Sequence, residues 1–415
     1  MITRIEAYRY RCFEQLAVAL GNYQVLVGKN GAGKSTFIDI PVFLGEMLQR
    51  QSAHDAFFRP TASHPRARAD GALDLVFNRT GSWFGFALEA ALPNEIGAKA
   101  GASNVRYELA FSVEGSSLEL SAEAIILFNE RPAFADLISG LWSESRNVES
   151  PRIRLALHRQ RGGLTQVWRE SRQRGRRPEP VTFEAATKAP ALSFLPPDAE
   201  LYPAGNWLRT LLMRDCICYL PDLARLRNAQ ASPGREFAVA PDGSTLPWSV
   251  LQLSADADRF EEWTMHVQSA LPKVARIEAR QREDDGFAYL RLHYDNGPAV
   301  PSHGLSDGTL SILALSILPF LSKVPVILAV EEPENGIHPK AIETVVESLS
   351  KMPRSQVFVT THSPIVVAVT PPELLLCLRQ TKTAGVEVTP GNNHPQLVEW
   401  QGTPSIATLF SAGVL

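Results

Sequence analysis

The sequence predicts a mixed α/β fold, with an α/β core, an antiparallel β lobe and an insertion of helices and strands. Three observations carry this. The apolar run Tyr23-Gln24-Val25-Leu26-Val27 enters a glycine-rich loop and then a helical pattern. From Gly304 onward, helical stretches alternate with short apolar runs. Between residues 73 and 128, long β-like runs are separated by turn signals.

Ile2 to Tyr10 and Leu16 to Leu20 alternate loosely and read as strands before Tyr23–Val27. A helix follows from about Lys34 to Gln49, with Pro41 placed to kink it. Residues 51 to 71 read as a loop, broken by Pro60, Pro65 and Gly71. Strands are expected at Leu73–Phe77, Trp83–Leu92, Val105–Val113 and Leu118–Phe128, with turns at Gly81-Ser82, Pro93-Asn94 and Gly115-Ser116. Residues 129 to 190 are arginine-rich, interrupted by Pro151, Gly162-Gly163, Gly175, Pro178 and Pro180, and read as long loops. From 199 to 271 the pattern turns helical, clearest from Asp256 to Ala270, whose apolar positions include Phe260, Trp263 and Val267. Strands at Val274–Ala279 and Ala288–Tyr294 follow. Then come a helix (Ser306–Leu321), a strand (Val326–Val330), a helix (Pro339–Lys351), a strand (Gln356–Thr360) and a helix from Pro364. Short runs at Leu374–Leu378 and Val386–Val388 close the sheet. There is no internal repeat and no long heptad register.

Composition is that of a soluble globular protein, with 45% apolar and 20% charged residues over 415 positions. Cys12, Cys216, Cys218 and Cys377 are spaced neither as a zinc site nor as a disulfide framework, so a reducing cytoplasm is expected. The start lacks a signal-peptide core, and the longest apolar run, near Leu310 to Leu321, is too short to span a membrane. A net charge of −3 gives no global field that draws in nucleic acid. Ten arginines nevertheless fall between Arg146 and Arg177. They are a candidate contact for a phosphate backbone, or else a solvated loop in a chain whose basic residues are mostly arginine.

Four motifs carry chemistry. Gly28-Lys29-Asn30-Gly31-Ala32-Gly33-Lys34-Ser35-Thr36 fits the phosphate-loop pattern in full, between an apolar strand and a helix. The glycines let successive N–H groups face the phosphates, and the helix N-terminus adds partial positive charge. Lys34 is placed for the β- and γ-phosphates of ATP, and the Ser35 hydroxyl for Mg²⁺. The run Val326–Val330 leads into Glu331-Glu332-Pro333-Glu334-Asn335, a Walker B pattern. Glu331 would lie at the Mg²⁺ shell, and Glu332 would orient the attacking water. Leu305-Ser306-Asp307-Gly308 opens a helix about twenty residues earlier, a second anion site by its serine cap and glycine. His362, in Thr361-His362-Ser363-Pro364 at a strand end, could hydrogen-bond the γ-phosphate or the water as a neutral imidazole.

These residues resemble the ATPase domains of the SMC/RecF-like and OLD (overcoming lysogenization defect) branch of the ABC superfamily. The runs Glu331 to Pro339 and Thr361 to Pro364 resemble those of the stand-alone AAA-family ATPases of bacteria. The resemblance is specific over about 1–40 and 300–365, and weaker over Tyr219 to Leu253. It implies an ABC-type P-loop ATPase head with an antiparallel β lobe and a mixed helical/β arm. On that reading, 1–130 is the first lobe, 131–300 the insertion and 301–415 the second lobe. It gives Leu305–Gly308 the role of the signature that completes a partner's site, and His362 that of the switch histidine. ATP with Mg²⁺, and a homodimer joined through ATP, are the implied cofactors and assembly. The chain departs from the pattern in two ways: no glutamine is placed at the Q-loop, and Glu331 stands where many relatives have aspartate.

The resemblance leaves several roles open. One is the switch subunit of an anti-phage defence or DNA-repair system, with an effector nuclease, Toprim-type or other, in trans. Another is an SMC/RecF-like DNA clamp without a nuclease. A third is a transporter ATPase, disfavoured by the 273 positions between Gly33 and Ser306. The 53 residues after His362 contain no aspartate, so a nuclease metal site in cis is not expected there.

Overall fold

A computed structural model describes residues 1–60, 66–131, 153–159, 164–171, 179–295, 297–381, 385–398 and 405–413. The chain begins with strands β1 (Ile2–Tyr10), β2 (Phe13–Ala19) and β3 (Tyr23–Val27), then helices α1 (Lys34–Arg50) and α2 (Ala53–Phe58). Strand β4 (Trp83–Ala91), helix α3 (Asn94–Ala100) and strands β5 (Asn104–Glu114), β6 (Ser117–Phe128), β7 (Ile153–Arg159), β8 (Leu164–Val167) and β9 (Val181–Glu184) follow. Next are α4 (Pro203–Arg214), β10 (Cys216–Cys218), α5 (Leu223–Leu226), α6 (Leu246–Leu253) and α7 (Ala257–Ala270). The last part comprises β11 (Val274–Gln281), β12 (Ala288–Tyr294), β13 (Val300–Pro301), α8 (Asp307–Ser316), β14 (Ile327–Glu331), α9 (Pro339–Ser350), β15 (Gln356–Thr360), α10 (Pro364–Val369), β16 (Leu375–Gln380) and β17 (Val386–Pro390).

These elements form two compact units. The first takes residues Met1–Gly21, Gly31–Cys216 and Arg379–Val388, and the second Asn22–Asn30, Ile217–Leu378 and Thr389–Leu415.

The first unit is built on an eight-stranded antiparallel sheet in the order β2-β1-β4-β5-β6-β7-β8-β9. Strand alternation sends Phe84, Phe86 and Phe111 to one face. Arg9 takes a left-handed conformation (φ 51°), which breaks the alternation of β1 and brings Tyr10 into the same cluster. Phe43 of α1 and Phe57 of α2 stack on each other at 4.0 Å and pack against these rings. The opposite face carries a buried charge cluster. Arg106, fully buried, donates to Glu6 (2.6 Å), Glu89 (2.6 Å) and Glu108 (2.5 Å) on β1, β4 and its own strand. Burial alone would raise the Glu6 carboxyl, but the hydrogen bonds and charge of Arg106 more than offset this and hold it low.

The second unit rests on the sheet β10-β14-β15-β3-β16-β17, in which β14, β15, β3 and β16 run parallel. The central strand β3 is buried along its whole length, as expected of a parallel strand covered on both faces. A smaller antiparallel sheet, β11-β12-β13, belongs to the same unit. Trp263 of α7 is fully buried and donates from its indole N–H to the Ser316 hydroxyl at 3.1 Å.

Several sequence expectations are corrected. The loop at 51–71 contains α2, because Ser52 caps it by accepting from the Asp55 N–H and Phe57 has a buried aromatic partner. Leu73–Phe77 is not a strand but part of two 3₁₀ turns, Ala72–Leu75 and Phe77–Arg79. There the Asp74 carboxylate takes the Gly71 N–H, and Asn78 is left-handed. The Pro93-Asn94 turn opens α3. Residues 129–190, read as loops, contain β7, β8 and β9, whose backbone pairing extends the sheet despite the surrounding breakers. Short strand β10 lies in the stretch read as helical.

Replacing Arg106 by methionine would take a buried donor from three carboxylates at once, leaving Glu6 with Arg4 and Tyr8 and Glu89 with the half-exposed Arg131. We expect a loss of about 3–5 kcal/mol in urea unfolding at neutral pH. Glu6, held low, contributes stability that is present above the ordinary carboxylate range and lost as pH falls through its depressed value. The Arg106→Met penalty should therefore shrink in acid. A penalty that is small or independent of pH would remove the cluster's assigned role.

Candidate functional site

The phosphate loop begins where β3 ends. Gly28, Lys29 and Asn30 belong to the second unit, and Gly31 to Thr36 to the first. Gly31 and Gly33 have φ of 77° and 85°, a region that glycine enters without strain. At Gly33 nothing else fits, since an added Cβ would lie 2.6 Å from Cys12 Sγ and 3.1 Å from Phe13 Cζ. Gly33 also precedes the first turn of α1, which has no side-chain cap and no acidic residue. The N-terminus of this 17-residue helix thus keeps its partial positive charge unneutralised by its own first turn. Lys34 and Ala32 are buried, Ser35 is exposed and Thr36 is half-buried.

Buried contacts in the first unit fix α1. Arg68 forks onto Asp39 of α1 at 2.7 and 2.8 Å, reaches Glu46 at 2.6 Å, and donates to the Ala56 carbonyl at 2.9 Å. Gly45 lies against the Leu212 carbonyl of α4, where a Cβ would sit at 2.0 Å. Sequence reasoning missed both residues. Arg68 lies in a proline-broken stretch with no local signal, and Gly45 resembles any helical glycine.

The acidic and histidine motifs meet in the second unit. The parallel register pairs Glu331 with Thr360, and Thr360 in turn with Leu26 of β3. The ends of β14 and β15 therefore lie beside the strand that enters the phosphate loop. Glu332 follows with φ 42°, a left-handed conformation that costs a non-glycine residue about 1–3 kcal/mol. Its N–H donates to the Thr360 carbonyl at 2.9 Å, and its carbonyl accepts from the Asn335 N–H at 3.0 Å. Its carboxylate accepts from the Asn335 amide at 2.9 Å and lies 3.7 Å from His362 Nε2. Both side chains are partly open to solvent. Glu334, quoted in the motif without a role, accepts on one oxygen from the Thr361 hydroxyl (2.6 Å) and the N–H groups of His362 (3.0 Å) and Ser363 (3.1 Å).

The Leu305–Gly308 segment opens α8. Ser306 caps it, its hydroxyl accepting from the Thr309 N–H at 3.2 Å. Arg227, another residue the sequence did not single out, donates to the Leu305 carbonyl and pairs with Asp307 at 2.5 Å. Gly308 faces the turn after Glu332 so closely that a Cβ there would lie 2.5 Å from the Gly336 carbonyl. The start of α8 and the acidic turn thus form one packed surface within the second unit.

The arginine-rich segment is corrected in part. Arg159 is fully buried and donates to the Ala186 and Ala189 carbonyls, and Arg154 donates to those of Ala100 and Glu170. Neither is free to track a phosphate backbone. Arg146, Arg152, Arg161, Arg172, Arg174, Arg176 and Arg177 lie outside the described residues. Asp256 caps α7, accepting from the Arg259 N–H, in keeping with its reading as a helix start. Among the described residues no helix is long and apolar enough to cross a membrane, and no group of three or more His, Cys, Asp and Glu is arranged to hold a metal.

Solved structures similar to this chain include an Smc head bound to the C-terminal winged-helix domain of ScpA, at 12% identity and TM-score 0.48, covering 94% of this chain and 97% of that one. An Smc head with an extended coiled coil, bound to the C-terminal domain of ScpA from Pyrococcus furiosus, has 11% identity and TM-score 0.48, covering 94% and 95%. The SMC head domain from Thermotoga maritima has 11% identity and TM-score 0.41, covering 94% and 98%. No curated protein matches the chain. The family model AAA_21, described as "AAA domain, putative AbiEii toxin, Type IV TA system", matches residues 25–368. That span covers most of the chain and runs from the strand before the phosphate loop past His362, so the chain belongs to the AAA_21 family and is an AAA-type ATPase.

Proposed function

We propose that the chain binds ATP on Gly28–Thr36, hydrolyses it with Glu332 and His362, and uses the nucleotide to join two copies of itself. The observation that carries this is the placement of Glu332 beside His362 at the ends of β14 and β15, next to the strand that enters the phosphate loop. Loop N–H groups and the α1 N-terminus hold the phosphates, and the Lys34 ammonium neutralises the β- and γ-oxygens. Ser35 and Glu331 offer a hydroxyl and a carboxylate, the hard oxygen donors that Mg²⁺ takes alongside phosphate oxygens and water. Mg²⁺, when bound, neutralises charge that develops on the phosphates. Glu332 orients the attacking water and accepts its proton, and His362 donates a hydrogen bond to the γ-phosphate or the water. The Leu305–Gly308 segment of one copy completes the site of the other, which makes ATP the interface ligand of a homodimer.

In this reading the dimer is a switch, and its output passes to an effector in trans, a Toprim-type or other nuclease, in an anti-phage or repair setting. The family description supports a paired setting, since a toxin–antitoxin system has two components by name. DNA is a further candidate partner.

Lys34→Ala should weaken ATP binding roughly 10- to 100-fold, the loss of a charged hydrogen bond, as read by calorimetric titration. Glu332→Gln should bind ATP normally but turn over roughly 10²- to 10⁴-fold more slowly. Light scattering should then find this variant dimeric with ATP and Mg²⁺ and monomeric without them. A mass that ATP does not change would overturn the composite site. Ser306→Arg should abolish that dimer while binding ATP, though α8 loses about 1 kcal/mol of capping.

A further inference from the structure

Glu332 and His362 are tied to each other twice. The Glu332 N–H donates to the Thr360 carbonyl at 2.9 Å, so the base's backbone is fastened to the end of β15. In the other direction, the His362 N–H donates to Glu334 Oε1 at 3.0 Å, so the histidine's backbone is fastened to the base's own turn. The same oxygen takes the Ser363 N–H at 3.1 Å and the Thr361 hydroxyl at 2.6 Å. Three consecutive residues between β15 and α10 therefore hang on one carboxylate oxygen. Its other oxygen, Oε2, is shielded from solvent and takes no hydrogen bond among the described residues. A buried acceptor without a donor is costly, so an acid is kept here against a local penalty.

We propose that Glu334 is a positioning residue for ATP hydrolysis: its carboxylate holds the His362 backbone so that the imidazole stands opposite Glu332 before nucleotide arrives. This rests on the roles given above to Glu332 and His362. Glu334 does not touch the reacting atoms. It acts by holding one member of the pair, and a displacement of about 1 Å at such a site can cost roughly 100-fold in rate.

The test uses the full chain and four variants: Glu334→Ala, Glu334→Gln, His362→Ala and the Glu334→Ala/His362→Ala pair. Steady-state ATP turnover, ATP affinity and thermal midpoint are measured for each. Glu334→Ala should lower kcat roughly 10- to 100-fold, with KM and ATP affinity within about 3-fold of wild type. Glu334→Gln should restore most of kcat, because its amide oxygen still accepts the two backbone N–H groups. In the His362→Ala background, Glu334→Ala should change kcat by less than about 2-fold, since a residue acting through His362 has nothing left to act on. Should the alanine variant not fold, Glu334→Asp, which withdraws the oxygen by one methylene, should show the same fall in kcat at unchanged KM. Wild-type kcat in Glu334→Ala, or equal losses with and without His362, overturns the positioning role and leaves the ATPase reading standing. A wild-type chain that binds ATP but does not turn it over overturns both.

Discussion

The parallel register of β3, β15 and β14 is the constraint on which the second unit depends. Parallel pairing sets Leu26, Thr360 and Glu331 in one row, so the loops leaving all three strands emerge at the same edge. Ligand sites of open α/β sheets form at this carboxyl edge, where strand ends converge and helix N-termini begin. A slip of one residue in any of the three strands would send Glu331 or Thr360 to the other face of the sheet. Full burial of β3, with Val25, Leu26 and Val27 wholly inaccessible, makes that slip expensive.

Both units use one device, a glutamate placed under backbone N–H groups of a different segment. Glu123 accepts from Ala191 and Leu192 at the start of a 3₁₀ turn, and from the Tyr107 hydroxyl. Glu170 accepts from Ala204 and Gly205 at the start of α4, whose own cap position is Tyr202 and supplies no side-chain bond. Glu334 does the same for His362 and Ser363. Burial pushes the Glu170 carboxyl up to about 7 against the pull of its two N–H bonds, and raises Glu123 as well. Raised carboxyls give their stability when protonated and lose it as pH climbs through the raised value, opposite to the Arg106-held Glu6. The two kinds of buried acid therefore narrow the stable pH range from opposite sides.

Within the second unit, packing also couples motifs that lie far apart in the chain. Gly308 meets the Gly336 carbonyl with no room for a side chain at position 308, and Arg227 clamps Leu305 and Asp307 from outside. Movement at the start of α8 must therefore be felt by the turn that carries Glu332 and Glu334.

Local chemistry was legible in the sequence. The glycines of the phosphate loop, the strand before it, the helix after it, the serine cap at Ser306 and the aspartate cap at Asp256 each depend on residues within a few positions of one another. The paired acids and His362 were legible as motifs because strand ends are marked by apolar runs. Tertiary structure decided what depends on distant partners. Arg159 is a buried donor to backbone carbonyls, although its neighbours in sequence suggested a solvated basic loop. Leu73–Phe77 turns and keeps only a single bridge, Val76 to Tyr10, because the Asp74 carboxylate and a left-handed Asn78 hold it in two 3₁₀ turns. The alternation of β1 breaks at Arg9, so that Tyr10 can join rings from two other elements, Phe57 of α2 and Phe84 and Phe86 of β4. Arg68 and Arg227 carry no signature of their own, and Glu334 stands in the acidic run with nothing to mark its role, since each acquires it only when the fold brings it to a partner 20 or more positions away.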